Sequence, residues 1–142
     1  AYGPDEGDRM TASDKYTDGR NKVKAIFGTH GENAIAALEP VAPDLARQIY
    51  EHAYGDTYAR DDLNLRDRSL ITIAGLTALG YPQHQLASHI RGGLNVGLDR
   101  SEIVETITHM ALYAGFPAAV NAALTARDVF VDLDTNTQET PQ

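Results

Sequence analysis

The chain has 142 residues, enough for a core that hides about two-thirds of the surface an unfolded chain exposes. Its formal net charge of -8, with 12 Lys and Arg against 20 Asp and Glu and no basic run, argues against a nucleic-acid partner, whose backbone is held by clustered cations. The absence of cysteine excludes disulfides, thiolate metal sites and thiol redox chemistry.

In so acidic a chain, a small anionic ligand has to be held by a few local Arg and His residues. No stretch approaches the roughly 18 apolar residues of a membrane span, and no basic-then-apolar leader opens the chain, so a cytoplasmic protein without membrane contact is expected. Residues 1–15 are expected to form a flexible N-terminal extension, with the polar Ala1–Arg9 set aside from the fold.

The first expected helix runs from Tyr16 to Phe27, with Val23, Ile26 and Phe27 as its apolar stripe and Gly28–Gly31 as its stop. A short second helix covers about Glu32–Leu38. Pro43 suits the first turn of a third, because its missing N–H would be unpaired there anyway. Leu45, Ile49, His52 and Ala53 give that helix an inward face through Tyr58.

After a polar loop, Asn64 caps a fourth helix, Leu65–Leu79, with Asp67 three residues on. It is apolar nearly all round, as expected of a helix buried in a core or a subunit contact. Gly80 ends it and Pro82 opens a fifth, in which Leu86, Ile90 and Leu94 recur. Gly92–Gly93 in mid-helix costs about 1 kcal/mol per glycine relative to alanine, which points to close backbone approach.

Asp99 with Glu102 reads as a capping box for a sixth helix, striped by Ile103, Ile107, Met110 and Ala114 and stopped by Gly115. Pro117 starts the last, with Val120, Ala123, Leu124 and Phe130 as its packing surface. Residues 133–142 are polar without periodicity and are expected to be a flexible tail. No window alternates as a half-buried strand does, so the fold class is all-α: a single-domain bundle of six to seven helices over residues 16–132.

His89 shares a face with Gln85, Gly92 and Val96, and His109 shares one with Thr106 and Tyr113. If those faces oppose each other, two imidazoles and a phenol converge. No HxxxH or HxH spacing accompanies them, so no metal site is expected. Arg66 and Arg68 occupy the opening turn of a helix, where cations oppose its dipole. They read either as solvated or ion-paired residues or as a carboxylate clamp. Arg91 stands about 200° round its helix from His89, so it faces elsewhere. Glu51, Tyr54 and Tyr58 form a stripe that serves equally as a polar pocket wall or a helix contact.

The segments Tyr54-Gly55-Asp56 with Tyr58 and Arg60, Leu63–Leu70 (LNLRDRSL), His89–Leu98 (HIRGGLNVGL), Glu102–Glu105 (EIVE) and Tyr113–Ala119 (YAGFPAA) resemble, in order and spacing, those of the carboxymuconolactone decarboxylase family. The resemblance covers about Tyr16–Phe130. It implies an all-helical, ring-like homo-oligomer, a hexamer rather than a trimer, with pockets near subunit contacts. It also implies cofactor-free decarboxylation of a carboxylated muconolactone in aromatic catabolism, the β-ketoadipate pathway.

On that resemblance His89 is the proton carrier, Arg68 holds a substrate carboxylate and His109 supports them, all three counted as catalytic. Arg66, Tyr113, Glu51, Tyr54 and Arg91 are candidate substrate-binding residues. Pro82 and Gln85 stand where the family's peroxidase branch has its two thiols, which excludes that activity. Tyr58 near the position of a family tryptophan, and Asn21–Gly28 in place of a paired arginine before V-L-G, depart from the decarboxylase pattern. A paralogue with another small-molecule reaction, and a non-catalytic oligomeric ligand-binding protein, are the alternative readings.

Overall fold

The computed structural model describes residues 11–138, all helices and connections, with no strand among them. The chain forms two compact units that meet in sequence at Asp62–Leu63, where a single bundle was expected. Residues 1–10 and 139–142 of the expected extension and tail lie outside the described residues.

The first unit begins with α1 (Ala12–Ala36), so residues 12–15 are helical rather than part of an extension. The cause is a capping box: the Asp14 N–H donates to Thr11 Oγ1 at 3.2 Å while the Thr11 N–H donates to Asp14 Oδ2 at 3.2 Å. The expected stop at Gly28 is instead a kink inside one element, with φ 64° and ψ -156°, a conformation that glycine alone adopts readily. In a straight helix Arg20 and Glu32 would stand about 18 Å apart along the axis. The kink lets Arg20 Nε donate to Glu32 Oε1 at 3.1 Å.

The expected third helix divides into α2 (Pro43–Gln48) and a π-helix (Ile49–Thr57). The wider π turn changes which residues face inward. Ala46, Tyr50 and Tyr54 are buried, whereas Leu45 is half-exposed and His52 is exposed, the reverse of the expected face. The π-helix packs against α1 with two glycines at the crossing. A Cβ at Gly19 would stand 1.8 Å from the Tyr50 carbonyl oxygen, and one at Gly55 would stand 2.0 Å from that of Lys15. Tyr16 meets Tyr50 edge-on at 5.1 Å between ring centroids, and Phe27 meets Tyr54 at 5.8 Å.

The second unit holds α3 (Leu65–Leu79), α4 (Gln83–Asn95), α5 (Arg100–Ala114) and α6 (Phe116–Gln138). The boundaries of α3 follow from its caps: the Asp67 N–H donates to Asn64 Oδ1 at 2.8 Å, and Gly80 ends the helix in the left-handed region at φ 80°. The capping box of Asp99 and Glu102 starts α5. Both α4 and α5 pack mainly on α3 and α6, around a core of Ile73, Leu86, Ile90, Leu98, Ile103 and Ile107.

Two expectations about this unit are corrected. The inward face of α6 is Ala119, Ala122, Ala126 and Val129, with Val120 and Leu124 outward, because small residues let this helix lie close against its neighbours. In addition, α6 continues through Gln138, past the tail expected from residue 133. Leu133 packs on the core, Arg100 holds Asp134 through two bonds of 3.1 and 2.7 Å, and the same guanidinium lies 4.9 Å from the Phe130 ring centroid.

Gly93 is the close approach anticipated for the glycine pair: a Cβ there would meet Leu98 Cδ1 at 2.8 Å and Ile73 Cδ1 at 3.3 Å. Gly93→Ala is expected to lower stability by about 1 kcal/mol in urea unfolding, because side-chain crowding outweighs the helix propensity gained. A stabilised variant would show that Leu98 moves aside at no cost.

Candidate functional site

Steric contacts set α3 and α4 antiparallel. Ile73 lies against Gly93, and Arg66 Cδ comes within 4.0 Å of the Cβ position of Gly97, so the start of α3 lies beside the end of α4. One face of α4 belongs to α6: Gln83 accepts a hydrogen bond from Thr125 at 2.6 Å, and Arg91 donates to Asp132 at 2.6 Å. His89, about 200° round from Arg91, therefore looks away from α6 toward the α3 side. On α3 the residues that face α5 are Leu70, Ile71 and Ala74. Arg68 is about 200° from Leu70 but only about 60° from the half-exposed Ile71, on the outer side of the helix.

His89 stands one turn before Gly93 on α4. On α3 the Thr72 hydroxyl donates to the Arg68 carbonyl at 2.8 Å. Arg68 Nε donates to the Leu63 carbonyl at 3.1 Å. Burial lowers the His89 pKa from 6.5 to about 4, so its imidazole is neutral at pH 7.

On the other side of α3, an open hollow of about 690 Å3 separates it from α5, with Leu70, Ile71, Ala74 and Met110 as apolar walls and Glu102, Glu105, Thr106 and His109 as polar ones. This volume is in the range of small-molecule sites. His109 lies beside Tyr113, 5.6 Å between ring centroids, and both are exposed. His109 lines the α3–α5 hollow, and α4 and α5 pack mainly on α3 and α6 rather than on each other.

Three other candidates are engaged as ion pairs. Arg66 donates to Glu102 and lies 3.5 Å from Asp67, so two carboxylates share its charge. Arg91 braces α4 to α6 through Asp132. In the first unit Glu51 accepts from Arg47 at 2.9 Å. Tyr54 is buried there, its ring 4.6 Å from that of Tyr58, and burial followed by the Tyr58 phenol raises its pKa well above 10. Among the described residues no group of three His, Asp or Glu is placed to hold a metal ion, and no helix is long and apolar enough to cross a membrane.

Glu102 reads in sequence as a cap and as the first residue of the EIVE segment. Its second role, holding Arg66 across 36 residues, has no local signal.

Residues 43–128 match the model of the carboxymuconolactone decarboxylase family. The chain is 34% identical over 125 residues to a 4-carboxymuconolactone decarboxylase of Acinetobacter baylyi, covering 87% of this chain and 92% of that protein. It is 29% identical over 119 residues to a nitrosuccinic acid decarboxylase of Metarhizium robertsii, covering 83% and 82%. It is 32% identical over 101 residues to an uncharacterized 15.0 kDa protein of Paracoccus denitrificans, covering 70% and 75%. By the extent of these matches, which include the helices that carry both His89 and Arg68, the chain belongs to the carboxymuconolactone decarboxylase family.

Proposed function

We propose that the protein is a cofactor-independent carboxy-lyase of aromatic catabolism, acting on a carboxylated muconolactone or a similar small organic acid in the cytoplasm. The observation that carries this reading is a desolvated, neutral imidazole, His89, in a chain whose relatives include two named decarboxylases.

In the reaction the bond between the ring carbon and the leaving carboxylate breaks, its electron pair enters the unsaturated lactone, and the carbon is then protonated. One proton is consumed for each carbon dioxide released. A neutral imidazole suits this balance: an arriving anion favours its charged form, so the proton taken up with substrate is the one delivered to carbon. Arg68 serves best on the carboxylate that stays, because a cation on the departing one would stabilise the ground state and slow its loss.

The test is ultraviolet assay with 4-carboxymuconolactone. His89→Ala is expected to lower kcat by about 100-fold or more, the scale of one general acid, while Arg68→Ala raises KM more than it lowers kcat. Turnover by the unaltered chain with both variants at full rate would remove these assignments. Ligand-induced stabilisation without any turnover would instead favour a binding protein.

A further inference from the structure

Neither His89 nor Arg68 is among the described residues that line the α3–α5 hollow, and the polar side of its lining is made of acceptors. The Ser101 hydroxyl donates to Asp99 Oδ1 at 2.6 Å, and the Thr106 hydroxyl donates to the Glu102 carbonyl at 2.7 Å. With both protons engaged inside the protein, these oxygens present lone pairs to the hollow. The Glu102 carboxylate already accepts from the Arg66 guanidinium and from the Asp99 N–H, so its charge is matched. Glu105 stands one turn before His109 on α5, is exposed, and forms no hydrogen bond or ion pair among the described residues. One unmatched negative charge and a set of acceptors thus border a space of about 690 Å3 whose other walls are Leu70, Ile71, Ala74 and Met110.

Such a lining sorts ligands by charge. A carboxylate would meet lone pairs and the Glu105 charge, whereas a protonated amine would give its N–H donors to Glu105 and a neighbouring hydroxyl while its carbon body covers the apolar walls. We propose that this hollow is a second ligand site, separate from that of the acid substrate, and that it takes a small primary amine with an aliphatic or aromatic body. The apolar body supplies most of the affinity and the charge supplies the choice, because an ion pair at an exposed carboxylate contributes little alone. The volume is that of sites for small organic molecules.

Calorimetric titration of the full chain at pH 7 tests this with 4-phenylbutylamine and 4-phenylbutyrate, which share a carbon skeleton and carry opposite charges. The amine is expected to bind with Kd of about 1 mM, at least roughly 10-fold more tightly than the acid. Glu105→Gln should weaken the amine by about 3-fold or more, and Glu105→Lys should reverse the preference. The chain's net charge of -8 attracts any cation, so Glu39→Gln, which removes the same charge in the first unit, serves as control and should leave binding unchanged. Ala74→Phe, which fills the hollow, should abolish binding of both probes; circular dichroism checks its fold, and the exposed Glu105 variants decide the matter if it fails to fold. Absence of binding up to about 10 mM, equal binding of amine and acid, or equal effects of Glu105→Gln and Glu39→Gln overturns the proposal. Binding is read without turnover, so a chain that does not decarboxylate leaves this test intact. In a chain that does, an amine that raises KM for 4-carboxymuconolactone would place both ligands in one site and overturn the separation.

Discussion

Gly19→Ala is expected to destabilise the first unit by about 3 kcal/mol and to lower Tm by on the order of 10 °C. The added methyl would occupy a point 1.8 Å from the Tyr50 carbonyl oxygen. The obstacle is backbone, which cannot swing aside as a flexible side-chain end can. Gly55→Ala at the facing position meets the Lys15 carbonyl at 2.0 Å and should cost a similar amount. Both substitutions push the same two helices apart, so the double variant should lose clearly less than the sum of the two. Thermal and urea unfolding measure this, and a Gly19→Ala protein melting within about 2 °C of the parent would show that the crossing is loose.

The second large effect concerns pH. Free His89 would titrate near 6.5, and burial brings it to about 4 in the folded chain. Below pH 6.5 the unfolded chain takes up a proton that the folded chain refuses. Stability should therefore fall as pH drops from about 6.5 to about 4 and then level off, by about 3 kcal/mol in all. The informative quantity is the difference between the parent and His89→Gln, which isolates this imidazole. The parent's advantage should shrink across that window, and a difference independent of pH would show that the imidazole is well solvated.

The elements most legible in sequence were those whose ends carry their own chemistry. Asn64 and Gly80 bound α3, and Asp99, Glu102 and Gly115 bound α5, because caps are local hydrogen bonds between residues a few positions apart. Inward faces were less legible where the core is not made of the most hydrophobic residues. On α6 the choice of Val120 and Leu124 over Ala119 and Ala122 follows hydrophobicity, whereas close packing favours the small side chains. From α2 into the π-helix, 3.6-residue periodicity selects Leu45 and His52, but Tyr50 and Tyr54 are the residues that turn inward.

The fates of Arg66 and Arg91 could not be read from spacing, because their partners stand 36 and 41 residues away. Such pairings depend on the tertiary fold and leave no mark in local spacing.

The clasp of Arg100 on Asp134 bears on how the protein should be handled. A truncation or fusion joint placed at residue 132, where polarity suggests a loose end, would remove the docked Leu133 and strip Arg100 of the Asp134 carboxylate, exposing the Phe130 ring beneath it. Expression vectors and protease sites are better positioned after Gln138, so that the turn carrying Asp134 stays attached to the helix it secures.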